Sequence, residues 1–306
     1  MQSYRKSRVA RLRALRRGDR IGAVAPASPF DRDFFFAGVA VLNVLGFEVV
    51  WSDDIFKQDR YLAGSDALRL EMIHNLFQDP TIGAVWSIRG GYGSMRLLPR
   101  LNISVIRENP KPFIGCSDIT AMLNFFTGKC GMVTFHAPMI ATLARADEQS
   151  VSSLLSALTE NRSLTIAADA PRTIVAGRAT GIVAGGNLST LSHMIGTPFF
   201  PDFSGAVVFL EDVGEKPYRI DRMLTQLLLS GAFDRAAGIC LGSFLDCGDD
   251  AEIRKVFEDR LSLLPIPVAA GFPIGHGMPN LTLPIGLEAV FDSKEGSLAY
   301  AESAVL

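Results

Sequence analysis

The chain has 306 residues, 48% of them hydrophobic, and a formal net charge of −2. That length allows two domains with cores of their own, and the near-zero charge supplies no field that would select nucleic acid or a membrane surface. No apolar run approaches the ~18 residues that span a bilayer, and four cysteines without a CxxC pair (Cys116, Cys130, Cys240, Cys247) read as reduced thiols of a cytoplasmic protein.

Residues 1–17 carry Arg5, Lys6, Arg8, Arg11, Arg13, Arg16 and Arg17 and no acid. The apolar run behind them, 21–25, is broken by Pro26 and is shorter than the roughly 7–15 residues of a signal-peptide core. A solvated basic extension is the expectation. Residues 20–25 read as a buried strand. Apolar spacing predicts a helix over 34–45 that closes at Gly46, a helix-ending residue type. Residues 47–51 are the next strand, 67–77 a helix, and 82–88 a strand that runs into Arg89-Gly90-Gly91-Tyr92-Gly93. Residues 95–101 are helix or turn, and 103–107 a short element. Phe113-Ile114 then feeds the corner Gly115-Cys116-Ser117-Asp118, and an apolar helix-like segment follows to Phe126. Strands alternating with helices imply a parallel, doubly wound sheet, whose ligands collect beyond the carboxyl ends of the strands.

The pattern changes near residue 145. Residues 150–158 read as a helix, and 159–176 are polar without a sustained period, as in an interdomain connection. Strands are expected at 181–187, 206–210, 237–241 and 268–270, helices at 219–229 and 252–261, and a hairpin from 287–291 and 297–301. The expected division is a basic extension 1–17, an α/β domain 18–158, a linker 159–176 and a carboxy-terminal domain 177–306. No internal repeat or low-complexity tract is present.

Ser117 stands at a strand-to-helix corner, where a hydroxyl projects beside the free N–H groups of a helix start. Those donors can hold a developing oxyanion. Ser and Asp are also ordinary N-cap residues, so the corner alone leaves capping open. A nucleophilic serine needs a base, and the base needs an orienting carboxylate. His74 and His193 lie in helix-like runs, whereas His136 and His276 follow strand-like segments. Glycines flank His276 in Gly271-Phe272-Pro273-Ile274-Gly275-His276-Gly277, which suits turn chemistry and a catalytic loop equally. Glu211, after five apolar residues, is the leading carboxylate; Asp212 and Glu215 are the alternatives. The amide of Asp118 and the Gly90-Gly91 loop are candidate oxyanion donors, since glycine lets backbone approach a substrate closely. The loop fails the G-x-G-x-x-G pattern, and no P-loop or HExxH spacing occurs, so neither cofactor nor metal is expected. The order Ser117, Glu211, His276 matches that of α/β-hydrolases, but Ile119 breaks their G-x-S-x-G elbow. Cys116 as nucleophile of a Cys-His pair therefore stays open.

The chain resembles the LD-carboxypeptidase family of serine peptidases, which holds murein tetrapeptide carboxypeptidases and microcin-C immunity peptidases. The likeness is carried by Gly18-Asp19-Arg20-Ile21-Gly22, Ala25-Pro26-Ala27-Ser28, Arg89-Gly90-Gly91-Tyr92-Gly93, Ile114-Gly115-Cys116-Ser117-Asp118 and Phe135-His136-Ala137-Pro138-Met139. The second half adds Gly185-Gly186-Asn187-Leu188, Leu210-Glu211-Asp212, Tyr218-Arg219-Ile220-Asp221-Arg222 and the His276 loop. The resemblance implies a flavodoxin- or class-I-amidotransferase-like amino-terminal domain and a smaller carboxy-terminal α/β domain. It implies Ser117 as nucleophile, His276 as base, Glu211 as acid, and Gly90, Gly91 and Asp118 as the oxyanion hole. The implied reaction removes the terminal D-alanine from cytosolic murein tetrapeptide in a homodimeric enzyme. Arg89, Tyr92 and His136 are the candidate substrate contacts. One departure is Ala137, where the family pattern has glycine, which puts the shape of the substrate pocket in question. The alternatives are an immunity-type peptidase acting on an aminoacyl nucleotide, with Tyr92, Phe135 or Phe199 stacking the base, and a non-catalytic peptide- or sugar-binding protein.

Overall fold

The computed structural model describes residues 9–306, so Arg5, Lys6 and Arg8 of the basic extension lie outside the described residues. The remainder of that extension is not a solvated tail. Leu12 and Leu15 are buried between its arginines, Ala10 bridges Met132, and Leu12 bridges Val305. Apolar side chains three apart turn inward while Arg16 and Arg17 stay exposed.

In chain order the elements begin β1 (Arg20–Val24), α1 (Arg32–Leu45), β2 (Glu48–Val50), α2 (Asp66–Gln78), β3 (Ile82–Ser87), α3 (Ile103–Glu108), β4 (Phe113–Gly115), α4 (Thr120–Phe125), β5 (Thr134–His136), α5 (Ile140–Leu143) and α6 (Glu148–Thr159). They continue with β6 (Thr165–Ala167), β7 (Arg172–Val175), β8 (Arg178–Asn187), α7 (Leu188–Met194), β9 (Ala206–Val213), α8 (Pro217–Leu229) and β10 (Gly238–Leu245). Last come α9 (Asp250–Leu261), β11 (Val268–Ala270), β12 (Leu283–Ile285), β13 (Glu288–Asp292) and β14 (Ser297–Tyr300). Local chemistry sets the bounds. Asp31 accepts from the N–H groups of Asp33 and Phe34 to start α1, and Gly46 at φ +99° ends it.

The six-stranded sheet runs β12-β5-β4-β3-β1-β2, with the five amino-terminal strands parallel and β12 antiparallel on β5. The order 2-1-3-4-5 is that of flavodoxin-like sheets. The eight-stranded sheet runs β6-β14-β13-β8-β9-β10-β11-β7 around a parallel centre of β8 to β11. Residues 159–176, expected as a linker, supply β6 and β7, the two edges of that sheet. They are only three and four residues long and half-exposed at the sheet edges, too short for a sustained apolar period to mark them.

Two features lock the sheets together next to the site. The Asn124 amide donates to Gly185 O at 2.8 Å while its oxygen accepts from Gly185 N at 3.1 Å, and Thr120 Oγ1 accepts from Asn187 N at 3.0 Å. One apolar cluster also runs across the junction, including Ile114 and Phe135 from the first sheet and Val207, Phe209 and Phe272 from the second unit. Each such bond is worth about 1 kcal/mol net, against roughly 1.5–3 kcal/mol for each large apolar side chain buried. Burial supplies the strength of the junction, and the polar clamps fix its register.

Candidate active site

β4 enters the corner fully buried, and Ser117 is the one residue from 111 to 127 that is not buried. Its φ of +62° lies in the left-handed region, which costs a side chain about 1–2 kcal/mol. The surrounding fold holds that strain because the residues on both sides are packed. Cys116 is buried (3% exposed). Burial pushes its thiol well up, and the charge of Glu211 adds to the shift. A thiol held protonated is a poor nucleophile, so the corner presents Ser117 and not Cys116.

The glycine loop after β3 lies against this corner. A Cβ added at Gly90 would stand 2.8 Å from Ser117 Cβ, 3.1 Å from its Oγ and 3.2 Å from Asp118 N. Asp118 fastens the loop: its Oδ2 accepts from Ser94 N at 2.8 Å, and Ser94 Oγ donates to Asp118 O at 2.6 Å. On the far side Ser28 Oγ accepts from Tyr92 N at 3.0 Å, and buried Arg69 donates to Gly93 O at 3.0 Å. Gly91 has φ +99°, and a Cβ there would sit 2.5 Å from Ser28 Oγ. Gly90→Ala is the informative change because only space, not φ, excludes the methyl. It should cost about 1–3 kcal/mol of stability, the usual penalty of an extra methyl in a packed site, and lower kcat/KM about a hundredfold or more, the scale of one lost oxyanion contact. Steady-state kinetics with unchanged circular dichroism checks this.

Glu211 and Asp212 lie in the last three residues of β9, both buried, and meet different partners. Asp212 accepts from Asn187 Nδ2 (2.9 Å), Ser189 N (2.9 Å) and Ser189 Oγ (2.8 Å), which ties down the start of α7. Glu215 lies within 3.3 Å of Arg219. Glu211 Oε2 meets His276 Nδ1 at 2.6 Å. A carboxylate only accepts, so Nδ1 carries the proton and Nε2 is left with its lone pair. The His276 loop leaves β11 in one sheet and enters β12 in the other. Ser243 Oγ accepts from Gly277 N at 3.0 Å, and Asn280 Oδ1 accepts from Gly275 N at 3.0 Å. Gly275 (φ +119°) must be glycine here, because a Cβ would come within 2.7 Å of Glu211 Oε2.

Burial opposes both charges of this pair, raising the carboxyl and lowering the imidazole. The hydrogen bond and mutual attraction outweigh it: Glu211 ends below its ordinary value of 4.5 and His276 above 6.5. His276's contribution to folding stability is complete below 6.5 and fades as pH rises through the raised value. Glu211's is complete above 4.5 and fades as pH falls through the lowered one. The melting-temperature gap between the parent and Glu211→Gln should therefore be widest between pH 4.5 and 6.5 and narrow on either side.

The remaining candidates separate. Arg89 is exposed and its guanidinium donates to Pro29 O at 2.6 Å. Tyr92 is 47% exposed and pairs with Tyr61, ring centroids 5.6 Å apart. His136, expected at the substrate, is fully buried (0% exposed), as is Phe135, because β5 is an interior strand. Phe199 packs on Phe125 at the wall of a different cavity of about 670 Å³. Ala137 is buried too, donating its N–H to Gly115 O at 3.1 Å, so the extra methyl lies in the core and not on a surface. Sequence reasoning missed Tyr61 and the Asn124, Thr120 and Ser243 clamps, since single polar residues carry no periodic signal. Among the described residues no three His, Cys, Asp or Glu side chains cluster as metal ligands, and no helix is long and apolar enough to cross a membrane.

Chemistry of this kind belongs to serine-type hydrolases, in which a carboxylate-oriented imidazole makes a hydroxyl nucleophilic. Comparison with known proteins narrows the class. Residues 21–137 match the LD-carboxypeptidase N-terminal domain and residues 180–291 the LD-carboxypeptidase C-terminal domain. The chain belongs to the LD-carboxypeptidase family and is a serine-type carboxypeptidase. It is 37% identical over 294 residues to a probable murein peptide carboxypeptidase of Bacillus subtilis, covering 92% of each chain. It is 35% identical to the murein tetrapeptide carboxypeptidase of Pseudomonas aeruginosa, over 89% of this chain and 93% of that one. The microcin C7 self-immunity protein MccF of Escherichia coli is 30% identical over 93% of this chain and 94% of its own. A solved MccF in complex with glutamyl sulfamoyl guanosine superimposes with a TM-score of 0.89 at 27% identity, covering 97% of this chain and 99% of that one.

Proposed function

We propose that this protein is a carboxypeptidase that hydrolyses the L,D-bond before the terminal D-alanine of murein tetrapeptide, using Ser117, His276 and Glu211. The observation that carries the reading is the 2.6 Å contact between Glu211 and His276, two residues sixty-five positions apart that leave Nε2 available as a base. The Ser117 corner belongs to the same neighbourhood, since Glu211's charge bears on Cys116 and Asn187, Glu211's partner in the β8–β9 register, is bonded to Thr120.

In this mechanism Ser117 Oγ attacks the carbonyl carbon, and its proton passes to His276 Nε2. Glu211 stabilises the imidazolium through Nδ1–H. N–H groups of Asp118 and the Gly90-Gly91 loop hold the oxyanion. His276 returns the proton to the departing amine of D-alanine, and the same imidazole then draws a proton from the water that releases the acyl group. Because the base must be neutral, kcat/KM should rise with pH through an inflection above 6.5. A pH profile with its inflection at or below that value would contradict the assignment of His276. The primary test is mass spectrometry of murein tetrapeptide after incubation with the purified protein, in which loss of a single alanine is the expected result. Cytoplasmic location and pairing into a homodimer belong to the same reading, supported by the family likeness; light scattering tests the pairing.

A second reading is favoured by one observation, the close superposition on MccF holding an aminoacyl nucleotide analogue. The half-exposed Tyr61–Tyr92 pair offers an aromatic face beside the glycine loop for a base. The higher identity to murein peptide carboxypeptidases is the support for putting tetrapeptide ahead of an aminoacyl nucleotide in this reading. Turnover of an aminoacyl sulfamoyl nucleotide in place of tetrapeptide would reverse that order.

A further inference from the structure

His136 is a buried histidine that the mechanism above leaves unused, and its place in the fold is unusual. In the sheet register it lies opposite Gly115 of β4, two residues before Ser117. On its other side it lies opposite Leu283 of β12, the strand entered from the His276 loop. Its ring packs edge-on against Phe209, with centroids 5.0 Å apart. Phe209 precedes Glu211 by two residues on β9, and residues two apart on a strand share a face. One side chain therefore touches or borders all three segments that carry the site.

The polar atoms around it are incomplete in a matching way. Glu211 Oε2 is bonded to His276, whereas Glu211 Oε1 and both nitrogens of His136 are buried without a hydrogen-bond partner among the described residues. Buried donors and acceptors are normally paired, and the two side chains are linked through Phe209, which packs on His136 and shares a strand face with Glu211. We propose that His136 is a positioning residue: seated on Phe209, its imidazole turns a neutral N–H toward Glu211 Oε1 and keeps Oε2 directed at His276. The inference rests on the Ser117–His276–Glu211 reading.

Neutrality is what the role requires, because a second imidazolium would compete with His276 for the carboxylate. Burial pushes His136 down to about 4, Glu211 pulls upward, and His276 pushes down again. The other groups nearby are accounted for. Asp212 is bonded to Asn187 and Ser189, Cys116 is held protonated, and the Asn187 amide, while facing Glu211, is bonded to Asp212.

The test compares His136→Phe, which keeps a ring on Phe209 but loses the N–H, with His136→Gln, which restores a donor. Two readouts that need no substrate are the NMR titration of His276 and the rate at which a fluorophosphonate labels Ser117. In the phenylalanine variant the His276 titration should move down toward 6.5 and labelling should slow about tenfold to a hundredfold. The glutamine variant should recover most of both. Titration and labelling within about twofold of the parent, or equal impairment in both variants, would overturn the proposal, since a purely packing role predicts no rescue by a donor. If the phenylalanine variant does not fold, Phe209→Leu loosens the ring's seat: a downward move of the His276 titration supports the role, and an unchanged titration ends it. Absence of labelling in the parent, with the titration shifting as stated, would count against Ser117 as nucleophile and leave the positioning role standing.

Discussion

Replacing Ser117 with alanine should leave a folded protein whose kcat is lower by about four to six orders of magnitude, the loss seen when a nucleophile is removed from a working triad. The size matters because smaller effects have other causes: a displaced substrate or a disturbed loop costs nearer a hundredfold. Retention of more than about a tenth of the activity would remove the hydroxyl from the mechanism. The corner supplies a control. At φ +62°, Ser117 sits where glycine is free of strain. Ser117→Gly relieves about 1–2 kcal/mol of backbone strain and adds about 0.5–1 kcal/mol of unfolded-chain entropy. It should therefore melt no lower than the parent while being equally inactive. Calorimetry and kinetics on the same preparations would show stability and activity parting at this residue, the sign of strain kept for function.

Glu211→Gln should lose about three to four orders of magnitude in kcat with little change of shape. The amide is nearly isosteric, but its NH2 can face Nδ1, which then has to accept, and the proton moves to the nitrogen that should act as base. The carboxylate charge that stabilises the imidazolium is gone as well. The inflection in kcat/KM should move down, since the bond and the charge that raise His276 are both removed. Combining it with Ser117→Ala should add almost nothing to the serine change alone, because residues that act as a unit are not additive. A double variant far worse than Ser117→Ala would place Glu211 in substrate binding or in folding.

Much of this was legible before any coordinates. The parallel sheet of the first half follows from apolar strands alternating with helices of regular period, and the helix over 34–45 ends at Gly46 in the left-handed conformation its type suggests. The corner at Ser117 and the glycine-flanked His276 could be found because turns need particular residues at particular places. The edge strands β6 and β7 could not, since a half-exposed edge needs little apolar pattern. The burial of Leu12 and Leu15 was hidden by the arginines between them, and His136 looked like a substrate contact because its sequence neighbours say nothing of the strands on either side.

Sequence alone determined the local geometry: which residues bend the chain, where helices stop, and which side chains are candidates for chemistry. The tertiary structure decided which of three neighbouring acids the imidazole meets, because Asp212 is bonded to the start of α7 and Glu215 lies beside Arg219 while Glu211 reaches His276. It also decided that the His276 loop spans from one sheet to the other, ending on the strand beside β5. Partners of this kind are chosen by packing between elements far apart in the chain, and no local propensity encodes a contact that exists only once both sheets have formed.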